Sequence, residues 1–286
     1  IGIVQNGVDV VNDVLLGLQN LEYRGYDSAG VATVSNSKIC CVKCVGKIND
    51  LKNKIKRYPI SGSVCIGHTR WATHGTVSEK NAHPHFTDNI AVVHNGIIEN
   101  SSKLKDEVQN LGYCFNTETD TEVILLLLDY FIKNGFSPLE AVSKTAKKLE
   151  GSFALGIIFK GYDNYMIGVR QNAPLVVGTN MDETVSAIAS DVSAVSKIVE
   201  NFYYLKNQEI VEVKDGIVNI FDYDLSKINF ELKKVASSDL SISKCGYDHY
   251  MLKEIMEQPE VICETMVHYK EIDSIVKNNN LHKYDN

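Results

Sequence analysis

The sequence lacks an excess of positive charge, an apolar run long enough to cross a membrane, and any internal repeat. Its 29 Lys and Arg stand against 36 Asp and Glu, a formal net charge of -7, whereas nucleic-acid-binding domains normally present a basic face. The longest apolar stretch, 123–132, contains Asp129 and is shorter than the roughly 20 residues that a membrane helix needs. We therefore expect no nucleic-acid partner and no membrane span, and we interpret 123–132 as a buried helix.

The cysteines also lack the spacing of a metal site. There are seven, an odd number scattered along the chain, which favours reduced thiols in the cytoplasm, and we expect no signal peptide. Cys41 and Cys44 form a CxxC, but no second pair or following histidines accompany it, so strand packing is the better interpretation. A site built from His68, His83, His85 and His94 is disfavoured because a proline separates two of these ligands and no HxxxH or carboxylate partner is nearby. We expect neither a metal nor an organic cofactor.

The apolar periodicity predicts alternating strands and helices, and hence an α+β fold with two sheets covered by helices. Helices are predicted at 8–21, 47–58, 101–111, 121–132 and 138–149, with a short one after Asp191. Strands are predicted at 1–4, 28–34, 38–45, 63–70, 90–93, 153–159, 165–169, 174–178, 185–189, 209–213 and 217–221, the last pair joined by an Asp-Gly turn.

Helix ends carry three further predictions. Asn100 is expected to cap the helix at 101–111, with Leu111 facing inward and Gly112 ending it. Ser137 and Glu140 form a capping box with proline at the first helical position.

The composition changes toward the end of the chain. Residues 223–248 are polar and poor in apolar side chains, as interdomain linkers often are. We predict a first domain at 1–235, a linker at 236–248 and the start of a second domain at 249–286. In this last part 249–269 is predicted to be helical, with Met251, Ile255 and Ile262 as candidate inward residues.

The stretch from His68 to Gly96 holds five of the eight histidines and the only tryptophan, Trp71. One apolar run ends at Arg70, and a second, 90–93, breaks into His94-Asn95-Gly96. Strands that end in such polar residues usually deliver side chains to a site. We therefore expect two neighbouring strands to present their ends to one functional site.

Five motifs make the resemblance to a known family specific. LEYRGYDSAG, GHTRWATHG, NAHPH, HNGIIEN and ETDTE, in this order and spacing, resemble the glutaminase half of the isomerising glutamine–fructose-6-phosphate aminotransferases, which are class II glutamine amidotransferases. The resemblance covers about the first five sixths of the chain, and GYDHYMLKEIMEQP at 246–259 resembles the linker into the sugar-isomerase half. It implies a four-layer αββα sandwich of the N-terminal-nucleophile hydrolase type.

In that family a cysteine at residue one attacks the glutamine amide, with its own α-amino group as the base. This sequence begins Ile-Gly-Ile-Val, whereas the family begins Cys-Gly-Ile-Val-Gly. Either Ile1 replaces the nucleophile, or the family's first three residues lie ahead of Ile1 and are not part of this sequence. The second alignment gives the later motifs a constant offset from the family, and we prefer it.

The resemblance also implies a role for each residue of the motifs. Asn95 and Gly96 would form the oxyanion hole, for which the alternative is an ordinary turn. Arg70 would bind the α-carboxylate of glutamine, or else form a surface ion pair. Asp120 would bind the α-ammonium group, and it could also cap a helix. The remaining residues would line or cover the pocket (Trp71, Thr73, His74 and His83) or support the site (Arg24 and Tyr26).

The resemblance thus predicts hydrolysis of glutamine, with ammonia passed to fructose 6-phosphate in the intact protein. A homodimer would form through the isomerase half. Two alternatives remain open: a non-catalytic glutamine-binding module, and the amidotransferase domain of another class II enzyme, such as amidophosphoribosyltransferase or asparagine synthetase.

Overall fold

The computed structural model describes residues 1–72, 75–234, 252–253, 255–259 and 261–263. Thr73, His74, Met251 and the predicted linker at 236–248 lie outside the described residues. The chain divides into two units, Ile1–Ser241 and Ile242–Asn286. The strands and helices named below belong to the first unit.

Within the described residues, fifteen strands form two antiparallel sheets. In chain order they are β1 (Gly2–Gln5), β2 (Ser28–Ser35), β3 (Lys38–Val45), β4 (Val64–Arg70), β5 (His85–Phe86), β6 (Ile90–Ile98), β7 (Gly151–Phe159), β8 (Tyr165–Gln171), β9 (Val176–Thr179), β10 (Val185–Ala189), β11 (Asn201–Tyr204), β12 (Glu209–Lys214), β13 (Ile217–Asp222), β14 (Lys227–Ile228) and β15 (Lys233–Lys234). The first sheet has the order β15-β11-β9-β10-β1-β4-β2-β3, and the second β14-β13-β12-β8-β7-β6-β5.

Five α-helices cover the outer faces of the sheets: α1 (Val11–Leu21), α2 (Ile48–Arg57), α3 (Ser101–Asn110), α4 (Thr121–Lys133) and α5 (Pro138–Ala146). α1 and α2 pack on the first sheet through a cluster that includes Leu18 and Leu51. α3, α4 and α5 pack on the second through one that includes Leu127. A third cluster, with Ile66 and Ile158, fills the space between the sheets. The expected four-layer αββα sandwich is confirmed.

Short sequence signals produce several of these elements as predicted. Asn36 and Ser37, both at positive φ, form the two-residue turn between β2 and β3, the geometry that suits the twist of a hairpin. Asp215 and Gly216 do the same between β12 and β13. The apolar stretch 123–132 is the buried part of α4. The capping box at Ser137 is present, with Ser137 accepting from the Glu140 amide.

The structure corrects the predicted cap of α3. Asn100 makes no side-chain cap, because its amide group instead donates to Lys148 O and accepts from Glu150 N across the neighbouring loop. Leu111 is 39 % exposed rather than inward. Gly112, at a φ of +90°, does follow the helix end.

Toward residue 234, β14 adds Lys227–Ile228 to the second sheet and β15 adds Lys233–Lys234 to the first. Residues 252–253, 255–259 and 261–263 are helical, as predicted, but Ile255 and Ile262 are exposed rather than inward. Within the described residues no helix is both long and apolar enough to span a membrane.

Candidate active site

A cavity of about 410 Å³ opens where the two sheets face each other. Arg70 at the end of β4, Asn95 and Gly96 on β6, and Asp120 before α4 all line it. The sequence predicted that the polar residues after two apolar runs would meet at one place, and they do, but only Arg70 stands at a strand end because β6 continues to Ile98. The two strands are not neighbours, however, because β4 lies in the first sheet and β6 in the second.

Arg70 is 5 % exposed, so the alternative of a surface ion pair is wrong. Its main-chain carbonyl accepts from the amide of Asp27 at 3.1 Å, and its Nη1 donates to Thr76 O at 3.4 Å. β4 is held on both sides by β1 and β2. A guanidinium group is therefore placed on rigid backbone at the wall of the cavity.

The segment after Arg70 is attached at two points. The amide of Ala72 donates to Asp27 Oδ2. Glu118 Oε2 accepts from the amide of Thr76 at 2.8 Å and from its hydroxyl at 2.9 Å. Trp71 is 61 % exposed and meets Tyr26 edge-on, with ring centroids 5.5 Å apart.

β6 continues through His94, Asn95 and Gly96 to Ile98, so the alternative of an ordinary turn at HNG is wrong. Asn95 pairs with Ala154 and Gly96 with Phe153 on β7. Gly96 has a φ of +132°, and a Cβ there would lie 1.9 Å from Ser152 O. Only glycine fits this close approach of two strands.

Asp120 precedes α4 but makes no side-chain cap, so the helix-cap alternative is wrong. Its Oδ2 instead accepts from the amide of Ile98 at 2.8 Å, across from β6. Its Oδ1 lies 3.5 Å from Thr121 Oγ1 and 4.0 Å from His94 Nδ1. The carboxylate is thus fixed at the cavity wall by groups from two elements.

Four clustered histidines stand at this wall, and three of them, His68, His83 and His94, line the cavity. His83 and His94 both contact Thr121 Oγ1, from Nε2 at 2.9 Å and from Nδ1 at 3.0 Å. His85 Nε2 contacts Thr119 Oγ1 at 3.1 Å, and the His68 ring lies 4.4 Å from that of His83.

Burial lowers the pKa of all four imidazoles, because the charged form loses its hydration. The pKa of His68 and of His85 falls to about 3, and that of His94 to about 4, against the opposing charge of Asp120. The pKa of His83 falls well below its usual range. At neutral pH the cluster is uncharged, so the charged side chains of the cavity wall are those of Arg24, Arg70 and Asp120.

We expect the free energy of unfolding to decrease as the pH falls from 7 to 5. The pKa of a histidine in an unfolded chain is ~6.5. Below that pH the unfolded chain binds protons, whereas the buried histidines of the folded chain stay unprotonated because their pKa is lowered. The contribution of these histidines to the free energy of unfolding is fully present above the pKa of the unfolded histidines. It is lost as the pH falls toward their lowered pKa in the folded chain. Urea unfolding at pH 7, 6 and 5 measures it. His85→Gln, which removes one of these groups, should show a smaller pH dependence; an unchanged one would contradict the assignment.

One of the two residues predicted to support the site lines the cavity, and the other, Tyr26, contacts Trp71. Arg24 lines the cavity, pairs with Asp191 at 2.6 Å and lies over the ring of Tyr23 at 5.2 Å. Tyr26 is 52 % exposed. Their proposed role in positioning a nucleophile stays a prediction.

Several residues that hold the site together were not predicted from the sequence, among them Thr121 and Glu118. Both stand inside the ETDTE motif, close to Asp120. Among the described residues, no group of three or more His, Cys, Asp or Glu could hold a metal ion. Cys40, Cys41 and Cys44 lie along β3.

Comparison with known proteins shows which proteins this chain is similar to. A family profile for the glutamine amidotransferase domain matches residues 68–197. A glutamine–fructose-6-phosphate aminotransferase (isomerising) of Clostridium acetobutylicum is 47% identical over 252 residues, 87% of this chain and 41% of the relative. The enzyme of the same name from Bartonella quintana is 42% identical over 263 residues, 92% of this chain and 43% of the relative. The chain spans about two fifths of the length of these relatives.

The solved structure of glutamine phosphoribosylpyrophosphate amidotransferase from B. subtilis, complexed with ADP and GMP, superposes with a TM-score of 0.67. The superposition covers 79% of this chain and 49% of the amidotransferase chain at 23% sequence identity, so the likeness concerns the fold alone. The fold it shares is the two-sheet sandwich that carries the cavity. By its sequence matches, the chain belongs among the relatives of the isomerising glutamine–fructose-6-phosphate aminotransferases and carries a glutamine amidotransferase domain.

Proposed function

We propose that this chain is the glutaminase part of an isomerising glutamine–fructose-6-phosphate aminotransferase. It would hydrolyse the side-chain amide of glutamine to glutamate and ammonia through a cysteine thioester. In the whole protein the ammonia would be used to convert fructose 6-phosphate to glucosamine 6-phosphate. The observation that carries the proposal is one cavity whose wall holds a buried guanidinium, a fixed carboxylate and a strand bearing Asn95 and Gly96.

This arrangement complements glutamine group by group. The α-carboxylate of an amino acid matches the forked donors of Arg70. Its α-ammonium group matches Asp120, whose carboxylate is only 14% exposed and is already oriented by Ile98 and Thr121. A cavity of about 410 Å³ lies in the range of roughly 300 to 1,000 Å³ that small-molecule sites occupy.

The remaining groups serve the chemistry. We propose that the Asn95 amide and the Gly96 N–H donate to the oxygen that becomes negative when a thiolate attacks the amide carbon. Thr73, His74 and His83 would line the pocket, and Trp71 would stand on a loop, 70–78, that closes over the bound amino acid and excludes water. Arg24 and Tyr26 would help to position the nucleophile.

The cysteines of the described residues are poor candidates for that nucleophile, because none of them lines the cavity. Burial raises the pKa of Cys41 to about 12 and raises that of Cys65 as well, which disfavours the reactive thiolate. The family's cysteine would stand three residues ahead of Ile1. β1 runs antiparallel to β4 with Gly2 opposite Ile66, and the same register carried three residues back leads to the position opposite Arg70.

The test is to extend the chain ahead of Ile1 by Cys-Gly-Ile, with the cysteine at the exposed N-terminus, and to measure glutamate release from glutamine. The matched control carries Ala-Gly-Ile instead. We expect glutaminase activity from the cysteine version alone. Equal activity in the two versions, or none in either, would refute the proposed hydrolysis; glutamine binding without hydrolysis would indicate a binding module.

We propose a glutaminase domain at 1–235, a linker at 236–248 and the beginning of a sugar-isomerase domain at 249–286. The odd number of scattered cysteines supports a cytoplasmic location. Dimerisation would take place through the isomerase part of the whole protein.

A further inference from the structure

The hydroxyl of Thr121 lies at the meeting point of three polar side chains. It is 2.9 Å from His83 Nε2, 3.0 Å from His94 Nδ1 and 3.5 Å from Asp120 Oδ1. Thr121 is 1 % exposed and the two rings are almost equally buried, so no bulk water can complete their hydrogen bonding. A hydroxyl has one proton to donate and two lone pairs to accept with. The three contacts therefore use its full capacity.

The second nitrogen of each ring shows which nitrogen carries the proton. His83 Nδ1 and His94 Nε2 are buried and have no hydrogen-bond partner. A neutral imidazole carries one N–H, and a buried N–H without a partner is rarer in proteins than an acceptor without one. The protons therefore belong on His83 Nε2 and His94 Nδ1, where both can donate to Thr121 Oγ1.

If both rings donate to Thr121, its own proton is left for the third neighbour. Asp120 Oδ1 is that neighbour, and a carboxylate is the strongest acceptor of the three. Because Asp120 Oδ2 already accepts from the Ile98 amide, the second bond fixes both oxygens and removes rotation of the carboxylate.

We propose that Thr121 is a positioning residue for the amino-acid substrate: its hydroxyl accepts from His83 and His94 and donates to Asp120, which it holds in the orientation that binds the α-ammonium group. The substrate part of this inference rests on the proposed function. The proton arrangement does not, since it follows from the buried contacts alone.

The proton arrangement is tested on the unaltered chain by ¹⁵N NMR of the imidazole nitrogens at pH 7, with the rings assigned by comparison with His83→Gln and His94→Asn. We expect His83 protonated on Nε2 and His94 protonated on Nδ1. A proton on His94 Nε2 or on His83 Nδ1 would overturn the arrangement, whether or not the chain binds glutamine.

The positioning role is tested by the affinity for L-glutamine, measured by NMR titration. Thr121→Val keeps the shape and removes the hydroxyl, and we expect about a tenfold loss of affinity, the size of one hydrogen bond to a charged group. Thr121→Ser restores the hydroxyl and should bind within about twofold of the unaltered chain. Thr145→Val, which removes a buried hydroxyl without a partner on α5, controls for the loss of a buried polar group.

A double-mutant cycle distinguishes a positioning role of Thr121 from a merely structural one. If Thr121 acts through Asp120, then Thr121→Val should weaken binding by less than about twofold when Asp120→Asn is already present. Equal losses in both backgrounds, or unchanged affinity in Thr121→Val, would refute the positioning role. Absence of saturable glutamine binding by the unaltered chain would refute the proposed function instead, and the ring spectra would still decide the proton arrangement.

Discussion

Asn95→Ala is expected to lower the kcat of glutamine hydrolysis by about 10²- to 10³-fold, with a much smaller change in KM. This is the usual effect of removing one side-chain donor from an oxyanion hole. The amide bonds to the oxygen more strongly when it carries the charge of the tetrahedral intermediate than in the neutral ground state, so the loss falls on kcat. Asn95 can take this role because it stands on a strand paired with β7 rather than on a free turn.

The measurement uses the Cys-Gly-Ile version of the chain and a steady-state assay of glutamate release. Asn219→Ala on β13 is the matched control, an asparagine on another strand of the same sheet that does not line the cavity; it should leave both constants near their starting values. A kcat within about threefold of the parent in a folded Asn95→Ala protein would remove Asn95 from the oxyanion hole.

Gly96→Ala is expected to lower the free energy of unfolding by about 3 kcal/mol or more, the upper end of the range for overpacked sites. A Cβ at this position would lie 1.9 Å from Ser152 O on the adjacent strand, and the φ of +132° is one that side chains rarely adopt. Relief would require β6 and β7 to separate, and these strands carry the pairing on which Asn95 depends.

Urea denaturation of Gly96→Ala and Gly112→Ala separates the clash from the backbone conformation. Gly112 also has a positive φ, +90°, but a Cβ there would meet nothing within 4 Å. Its replacement should cost only about 1 to 2 kcal/mol, the penalty of a left-handed conformation for an L-residue. Equal costs at the two positions would mean that the close approach of β6 to Ser152 contributes nothing.

Local signals in the sequence predicted the local parts of the fold well. The hairpin turns at Asn36-Ser37 and Asp215-Gly216 and the capping box at Ser137 each depend on a few adjacent residues, and all three are confirmed. The helices follow from an apolar period that does not depend on the rest of the chain. The four-residue strand β11 was not predicted because it pairs with β9, which lies far from it in the sequence. The strand β5 pairs with the nearby β6, but its two residues are too few to show a periodic pattern.

The candidate site divides in the same way. The motifs identified Arg70, Asn95, Gly96, Asp120 and His83, and all of them line one cavity. The sequence failed on what surrounds them. It left Asp120 open as a helix cap because the donor to its carboxylate, the amide of Ile98, lies 22 residues away in sequence and cannot be deduced from neighbouring residues. It treated β4 and β6 as neighbours because membership of a sheet is fixed by long-range pairing.

The membership of β4 and β6 in different sheets has a mechanical consequence. Arg70 ends a strand of the first sheet, while Asp120 opens a helix packed on the second, so the thickness of the layer between the sheets sets the separation of the two charges. That layer is thin in places where glycine faces a bulky residue: a Cβ on Gly2 would lie 2.3 Å from Met166 Sδ. Substitutions deep in this layer would therefore change the separation of Arg70 and Asp120, and with it the affinity for an amino acid, without touching the cavity itself.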